Sequence, residues 1–377
     1  MSSVGFGVRG SGFGIPCGFG VLSAALLIAA PLQAQGRIGN ARSETRSAAH
    51  GLDREVQAAS ARAGVTWIGY RMPMVSGPPR QMCCYDAISS SPFSGGVCRL
   101  EGGGVSMNSG DLRDRTGSRI TLEPATEFLV LARLEAGGVS RVRTFTPECD
   151  IDATAMPLVW LNDVTADESV AWLASLVTAS PVSGERHDRV GRTALSAVAL
   201  HDVPAADRAL EGFVAPGSPE WLRAETAFWL GHARGETGAR LLARMIDTDP
   251  SEKVRDKATF GLSVSQSPAA LAKLIATARQ DRSARVRGRA LFWLAQKAGT
   301  EAAAVITSAI DEDPETEVKK KAVFALSQLP KDEGVPKLME VARNNRNPEV
   351  RQQAMFWLGQ SHDPRALKFF EDILNRK

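Results

Sequence analysis

One pattern recurs at a fixed interval through the second half of the chain. Five phenylalanines lie 32 residues apart, at Phe228, Phe260, Phe292, Phe324 and Phe356. Each has a hydrophobic residue six positions before it, a basic residue five positions before it and a leucine two positions after it. Self-similarity with a period of roughly 20 to 50 residues indicates a solenoid, in which each unit stacks on a neighbour to bury its apolar face.

Each period divides into two helical segments, and the phenylalanine belongs to the second. We predict six units at 167–200, 204–232, 236–264, 268–297, 301–329 and 333–361, followed by a closing helix over 364–375. Proline follows Asp249, Asp313, Asn347 and Asp363, which marks these positions as turns. Proline suits the first turn of a helix, and the preceding aspartate or asparagine suits its cap.

The second segments share the pattern hydrophobic-Arg-x-x-Ala-x-x-x-Leu-Gly, seen from Val350 to Gly359. This pattern, with Asp-Pro or Asn-Pro in the preceding turn, resembles HEAT-like repeats of the type found in phycobilisome lyases and their bacterial relatives. The resemblance covers roughly residues 167–377 and implies an all-α superhelical solenoid of the HEAT/ARM type. It says little about activity, because such solenoids serve as scaffolds, as lyases and as a metal-dependent hydroxylase.

The hydroxylase branch of that family places His-Glu pairs at the start of second helices to hold two irons. The equivalent positions here contain no histidine. They read Arg223-Ala224-Glu225, Arg255-Asp256-Lys257, Arg287-Gly288-Arg289, Lys319-Lys320-Lys321 and Arg351-Gln352-Gln353. The resemblance therefore does not imply that activity for this chain, whereas a lyase-like HEAT protein stays an alternative.

The first 34 residues have the features of a secretory signal peptide. Arg9 precedes a ten-residue apolar run, Val21 to Ala30, and the sequence Leu32-Gln33-Ala34 ends in a small residue. We predict cleavage after Ala34. An uncleaved anchor is the alternative, but the run is shorter than the ~20 residues that cross a bilayer. We expect a periplasmic or secreted protein without a stable membrane span.

Charge and length narrow the remaining possibilities. Removing Arg9 with the signal peptide leaves 44 basic and 42 acidic residues, a net charge of +2. This balance gives no indication of a nucleic-acid partner. The remaining 343 residues, 377 minus 34, have room for two domains.

Four cysteines remain in the mature chain, namely Cys83, Cys84, Cys98 and Cys149, and all lie before the repeats. Clustered cysteines in an exported protein favour disulfides, for which three pairings are possible. The alternative is a metal site. Zinc sites space paired ligands about two to four residues apart, which the adjacent Cys83 and Cys84 do not match.

We assign residues 35–64 to a linker with a short helix over 52–62, and residues 65–160 to a small β-rich domain. Predicted strands span 66–75, 97–100, 119–122, 127–135 and 139–145. Gly137 and Gly138 join two β-prone runs and predict a hairpin. The solenoid is assigned to residues 164–377.

The β-rich domain offers few candidates for catalysis. They are Tyr85, Asp86, Asp111, Asp114, Glu148, Asp150 and Asp152. The carboxylates from Glu148 to Asp152 could bind a cation, although such a run is more often a solvated loop. We expect no metal or cofactor. An enzyme with its site in this domain, and the solenoid holding the substrate, is the alternative function.

The five phenylalanines, here called the aromatic row, are predicted to face away from the core between the two helices of a unit. At about 100° per residue, each lies about 160° from the mean direction of the core positions on its helix. Polar neighbours on the same face are Lys257, Arg289, Lys321, Gln296, Gln328 and Gln360. Two interpretations stay open: the row binds a partner on the concave face, or it closes the groove between successive second helices.

The repeated basic residue has a structural explanation that we prefer to direct binding. It can pair with carboxylates of the turns, for which Asp247, Asp249, Asp281, Asp311 and Asp313 are suitably placed. Each exposed pair would add only ~0.2 to 1 kcal/mol. Taken together, the sequence favours a non-enzymatic, exported scaffold that binds a protein or peptide partner over an enzyme.

Export generates the first testable prediction. N-terminal sequencing of protein purified from its native envelope should find Gln35 as the first residue. Thiol titration under denaturing conditions should find no reactive thiol. An N-terminus at Met1, or two or more reactive thiols, would contradict export.

Overall fold

A computed structural model describes residues 37–77, 82–83, 97–101, 105–106, 125–135, 138–179, 185–298 and 300–375. These residues belong to one compact unit, Gln35–Lys377. The predicted signal peptide lies outside them, as do Cys84, Tyr85, Asp86, Asp111, Asp114 and the predicted strand over 119–122. No helix among the described residues is long and apolar enough to cross a membrane.

The second half of the described chain is a stack of helix pairs. The first helices of the pairs are α2 (Ala166–Ala179), α4 (Pro204–Phe213), α6 (Gly235–Thr248), α8 (Pro268–Gln280), α10 (Thr300–Glu312) and α12 (Lys331–Asn344). The second helices are α3 (Glu185–Leu200), α5 (Glu220–Ala233), α7 (Glu252–Val264), α9 (Ala284–Ala298), α11 (Thr316–Ser327) and α13 (Pro348–Gln360). Helix α14 (Pro364–Leu374) follows. The predicted solenoid architecture and its helix pairs are confirmed.

Two of the four predicted proline turns have the expected cap. The side chains of Asn347 and Asp363 accept hydrogen bonds from the backbone at the start of α13 and α14, and proline follows each as the first helical residue. Asp249 and Asp313 act differently, because α7 and α11 begin three residues after them. Their carboxylates instead accept hydrogen bonds from an arginine and from a backbone N–H two residues ahead.

Buried ion pairs, here called the arginine ladder, connect three second helices, α5, α7 and α9, to the turn that precedes the next second helix. Arg223 pairs with Asp249, Arg255 with Asp281, and Arg287 with Asp313, always 26 residues apart and always with both guanidinium–carboxylate hydrogen bonds. All six side chains are at most 9% exposed. The predicted pairing with turn carboxylates is therefore confirmed for Arg223, Arg255 and Arg287, although these pairs are buried rather than exposed. The repeated basic residues Lys319 and Arg351 instead donate to backbone carbonyl oxygens at the turns before their own helices.

The same guanidinium groups also bind the turn before their own helix. Arg287 donates to the carbonyl oxygen of Asp281 at 2.9 Å, and Arg255 donates to that of Asp249 at 3.1 Å. The other two carboxylates proposed as partners of the repeated basic residue bind different side chains. Asp247 pairs with Lys273, and the carboxylate of Asp311 accepts a hydrogen bond from the side chain of Asn345. Each arginine of the ladder thus links two consecutive turns.

Two β-sheets precede the helices. The larger has the order β2 (Arg42–Ser47), β9 (Pro157–Asn162), β3 (Thr66–Pro73), β6 (Glu127–Glu135), β7 (Gly138–Phe145). The smaller has the order β1 (Arg37–Gly39), β8 (Asp150–Asp152), β4 (Val97–Arg99), β5 (Val105–Ser106). The predicted hairpin is present as the antiparallel pair β6–β7, with Gly138 at φ 134°.

The larger sheet has an apolar core on each face. One face places Trp67, Leu129 and Trp160 against residues of the smaller sheet such as Ile151. The other face shares one continuous hydrophobic core with the helices, which includes Tyr70, Val130 and, further along, Leu230 and Leu294. The sheet therefore continues the solenoid core at its N-terminal end.

Residues 35–64 contain the predicted short helix, α1 (Leu52–Ser60), together with two strands that the sequence did not indicate. Strand β1 pairs with β8 and β2 with β9, both in parallel. All six residues of β2 are exposed, so the alternation that marks a strand is absent from its sequence.

The cysteines of the β-rich region form disulfides where they are described. Cys83 is bonded to Cys149, with their Cα atoms 5.2 Å apart. Cys98 is also disulfide-bonded. The 66-residue separation of Cys83 and Cys149 means that this bond closes most of the β-rich region into one loop.

The buried ladder predicts a difference between two arginines of the same helix. Arg287→Ala leaves Asp313 buried without its cation and should cost about 3 to 5 kcal/mol. Arg285→Ala, the control, removes an arginine whose side chain is 59% exposed and should cost about 0 to 1 kcal/mol. Urea unfolding with hydrogen exchange over α9 to α11 measures both, and equal costs would contradict the ladder.

Candidate functional site

The aromatic row lies along the second helices, on the side opposite their buried stripe. Val286, Ala290 and Leu294 of α9 are fully buried, whereas Phe292 is half-buried. Phe228, Phe260 and Phe324 are half-buried in the same way, and Phe356 is 53% exposed. The orientation predicted from the sequence therefore agrees with the structure, and the rings of the row are neither fully buried nor fully exposed.

The rings of the row contact one another across successive helices. Phe228 stacks on Phe260, and Phe292 stacks on Phe324, each pair with centroids 5.8 Å apart. Tryptophans connect these pairs: Phe260 lies 4.8 Å from Trp293, and Phe324 lies 4.8 Å from Trp357. Because Trp293 also contacts Phe292 and Trp357 contacts Phe356, the aromatic contacts run without a break from α5 to α13.

The alternation of tryptophan and small residues explains how the rings fit. The position after the phenylalanine holds Trp229, Gly261, Trp293, Ala325 and Trp357. Where the residue is small, the tryptophan of the next helix packs on the phenylalanine beside it. Gly231 and Gly261 also bring α5 and α7 close together, since a Cβ on Gly231 would lie 1.9 Å from the carbonyl oxygen of Gly261.

Charged side chains flank the row. Arg289 pairs with Asp256 at 3.1 Å, whereas Lys257 and Lys321 have no ion pair within the described residues. The glutamines Gln296, Gln328 and Gln360 are exposed next to the row. The structure thus brings the eleven predicted residues together on one face of the second helices, which combines half-open aromatic rings with positive charge.

This face belongs to the more closely packed side of the stack. Successive second helices, such as α5 and α7 or α9 and α11, are packed together more closely than successive first helices, such as α6 and α8 or α8 and α10.

Comparison with known proteins supports the nature of the repeats. A family model described as HEAT repeats matches residues 271–355 and 303–377. Residues 271–377 consist of HEAT repeats. The helix pairs before this region continue the same stack with the same 32-residue period. No curated protein matches the chain.

Two solved structures are similar to parts of the chain. Human deoxyhypusine hydroxylase in complex with glycerol is 17% identical, covers 56% of this chain and 91% of its own, and has a TM-score of 0.26. The complex of CpcE and CpcF of phycocyanin lyase from Nostoc sp. is 23% identical, covers 41% and 98%, and has a TM-score of 0.31. At these TM-scores, neither similarity indicates what this chain binds or catalyses.

The carboxylates considered for a cation site are engaged in local structure. Asp150 pairs with Arg37 at 3.7 Å. Asp152 accepts hydrogen bonds from the side chain of Asn40 and the backbone of Thr154. Among the described residues, no group of three or more metal-binding side chains is found.

A serine–histidine pair that sequence reasoning missed lies between the large sheet and the first helix pair. His201 Nε2 is 2.9 Å from the hydroxyl of Ser169, which is hydrogen-bonded to the hydroxyl of Tyr70 at 3.0 Å. His201 Nδ1 is 2.7 Å from the carbonyl oxygen of Ala197, so Nδ1 carries the hydrogen and Nε2 accepts. All three side chains are fully buried. No substrate can reach them, so we interpret this network as a structural link between sheet and helices.

Burial lowers the pKa of His201 to about 4. The unfolded chain, with an ordinary pKa near 6.5, therefore binds one proton more than the folded chain between about pH 4 and 6.5. The contribution of neutral His201 to the free energy of unfolding is fully present above pH 6.5. It falls by about 3 kcal/mol as the pH decreases to 4.

The matching experiment compares the pH dependence of urea unfolding in the original protein and in His201→Gln. Subtracting the two curves removes the contribution of the carboxylates and should leave a slope confined to pH 4 to 6.5. Curves that run parallel through this window would contradict a buried, neutral His201.

Proposed function

We propose that this protein is an exported HEAT-repeat scaffold that binds a protein or peptide segment on the concave face formed by its second helices. The observation that carries the proposal is that the rings of the aromatic row are only half-buried. A row needed only for packing would be covered, as the leucines two positions further along are. Each exposed ring edge instead leaves apolar surface in a continuous strip, which is typical of an interaction site.

The charged side chains beside the row indicate which kind of segment would bind there. Lys257 and Lys321 form no ion pair within the described residues, although the charge of Lys321 acts on the carboxylate of Glu317, and Arg289 is only partly countered by Asp256. A segment with apolar or aromatic side chains interspersed with carboxylates would complement this face. Complementary charge mainly increases the association rate and the specificity, while the buried rings contribute most of the affinity.

Disulfides support the proposed location in the periplasm or outside the cell. Cysteines stay reduced in most cytosolic proteins, whereas exported proteins use disulfides to stabilise small β-rich regions. The Cys83–Cys149 bond lies in such a region. In the proposed scaffold this region fixes the first helix pairs, with which it shares its core.

Substitutions of two phenylalanines of the row distinguish a role in binding from a role in packing. Phe356→Ser changes an exposed ring and should reduce partner binding with little change in the melting temperature. Phe292→Ser removes a ring stacked on Phe324 and should also destabilise the solenoid, by up to roughly 1.5 to 3 kcal/mol.

Binding is measured with a photocrosslinking amino acid at Gln328, beside the row, and at Glu340, an exposed control position on the first helix α12. The Gln328 probe should capture a partner in the native envelope, and Phe356→Ser should reduce the capture. Capture that persists undiminished in folded Phe356→Ser, or equal capture from Glu340, would contradict the binding strip and leave the row a packing feature.

A further inference from the structure

Lys297, near the end of α9, shows how this fold binds an ammonium group. Its Nζ atom donates to the carbonyl oxygens of Ser263 and Ser265, at 3.1 and 2.6 Å, where helix α7 ends. The last carbonyl groups of a helix lack partners within the helix and carry partial negative charge, so they attract cations. The side chain is half-buried, and burial lowers the pKa of its ammonium group.

The equivalent place two repeats later is an open cleft. Adding 64 residues to Lys297 gives Ser361, whose short side chain cannot reach the end of α11. Some of the surrounding residues are the same: Ser327 corresponds to Ser263, Leu338 to Leu274, and Trp357 to Trp293, whereas Lys331 replaces Ser267. These residues and Ser361 line a cavity of about 150 Å³ between α11, α12 and α13.

The carbonyl groups that would receive the ammonium group are present at this cleft. Within the described residues, no donor binds the carbonyl oxygens of Ser327 and Leu329, which correspond to the two acceptors of Lys297. Ser327 and Leu329 both line the cavity.

The remaining walls suit an aliphatic chain. Leu326, Val335, Leu338 and the indole of Trp357 contribute apolar surface. A dry cavity of roughly 150 Å³ can hold a six-carbon ring, so this one has room for the four methylenes and nitrogen of a lysine side chain. The indole also favours a cation near its face.

One charged side chain, that of Lys331, lines the cleft, and its charge acts on Asp363. Hydrogen bonds from Arg365, assisted by the charges of Arg365 and Lys331, lower the pKa of Asp363 to about 2, which keeps that carboxylate ionised. The charge of Asp332 acts in turn on Arg365. The carboxylate of Asp363 therefore offsets part of the positive charge that Lys331 brings to the cleft.

We propose that the cleft between α11, α12 and α13 binds a primary alkylammonium group, supplied in the assembled scaffold by a lysine side chain of the partner. The protein's own Lys297 occupies the equivalent place two repeats earlier and serves as the template. The inference that a partner supplies the ammonium group rests on the proposed binding function. The preference of the cleft for an ammonium group does not.

The direct test uses the full mature chain and small probes, without any partner. Nα-acetyl-lysine methylamide is titrated while the indole N–H signal of Trp357, assigned with Trp357→Phe, is followed by NMR. Nα-acetyl-norleucine methylamide, which has a similar aliphatic chain without the charge, is the matched probe. The lysine probe should bind roughly tenfold more tightly, as expected for charge-assisted hydrogen bonds.

Two variants exchange the residues of the template and the cleft. Ser361→Lys should fill the cleft with a side chain from the same molecule, raise the melting temperature and abolish binding of the lysine probe. Lys297→Ser should lower the melting temperature, and n-butylammonium should restore part of it, whereas tetramethylammonium, which has no N–H donor, should not.

The outcomes distinguish this proposal from the proposed function. Equal binding of the lysine and norleucine probes, no shift of the Trp357 signal, or unchanged lysine binding in Ser361→Lys would overturn the ammonium site. None of these results requires a partner to bind the aromatic row. Conversely, loss of the row's binding role would leave the probe titration unaffected, because the titration needs no partner.

Discussion

The buried arginine–aspartate pairs are the interaction on which the arrangement of the solenoid depends. Each unit is two short helices whose apolar stripes are satisfied only by a neighbour, so its position must be fixed from unit to unit. Arg255 does so with one side chain, which binds Asp281 ahead and the carbonyl oxygen of Asp249 behind. A buried charge without its partner is costly, and these pairs therefore favour one register between units over others.

That register places the aromatic row. With the turns fixed, each second helix from α5 to α13 places its phenylalanine in the continuous line of aromatic contacts, and the phenylalanine and tryptophan rings of neighbouring helices lie 4.8 to 5.8 Å apart. Each half-buried ring then packs against its neighbours on one edge and exposes the other edge. The two interpretations of the sequence pattern are compatible, because a half-buried ring that contributes to packing still leaves apolar surface for a partner. Aromatic side chains are suited to this double role, since they are large and rigid.

The β-rich region is joined to the first helices by polar contacts as well as by its apolar face. The chain of hydrogen bonds from Tyr70 through Ser169 to His201 crosses from the sheet to α2 and to the end of α3. Arg234, at the end of α5, also donates to the carbonyl oxygen of His201 and pairs with Asp207. A serine next to a histidine suggests nucleophilic catalysis at first sight, but full burial indicates a structural network whose every member is satisfied.

Much of the helical half could be predicted from the sequence, because its determinants are local and repeated. The 32-residue period set the helix pairs, and the spacing of apolar positions set the side on which Phe292 lies. The strands β1 and β2 could not be predicted, since their short, exposed sequences have no alternation, and only their parallel partners β8 and β9 define them. Likewise, the sequence placed Arg287 and Asp313 within reach of each other. Only the tertiary structure decided that both are buried, because burial depends on the neighbouring units that cover the pair.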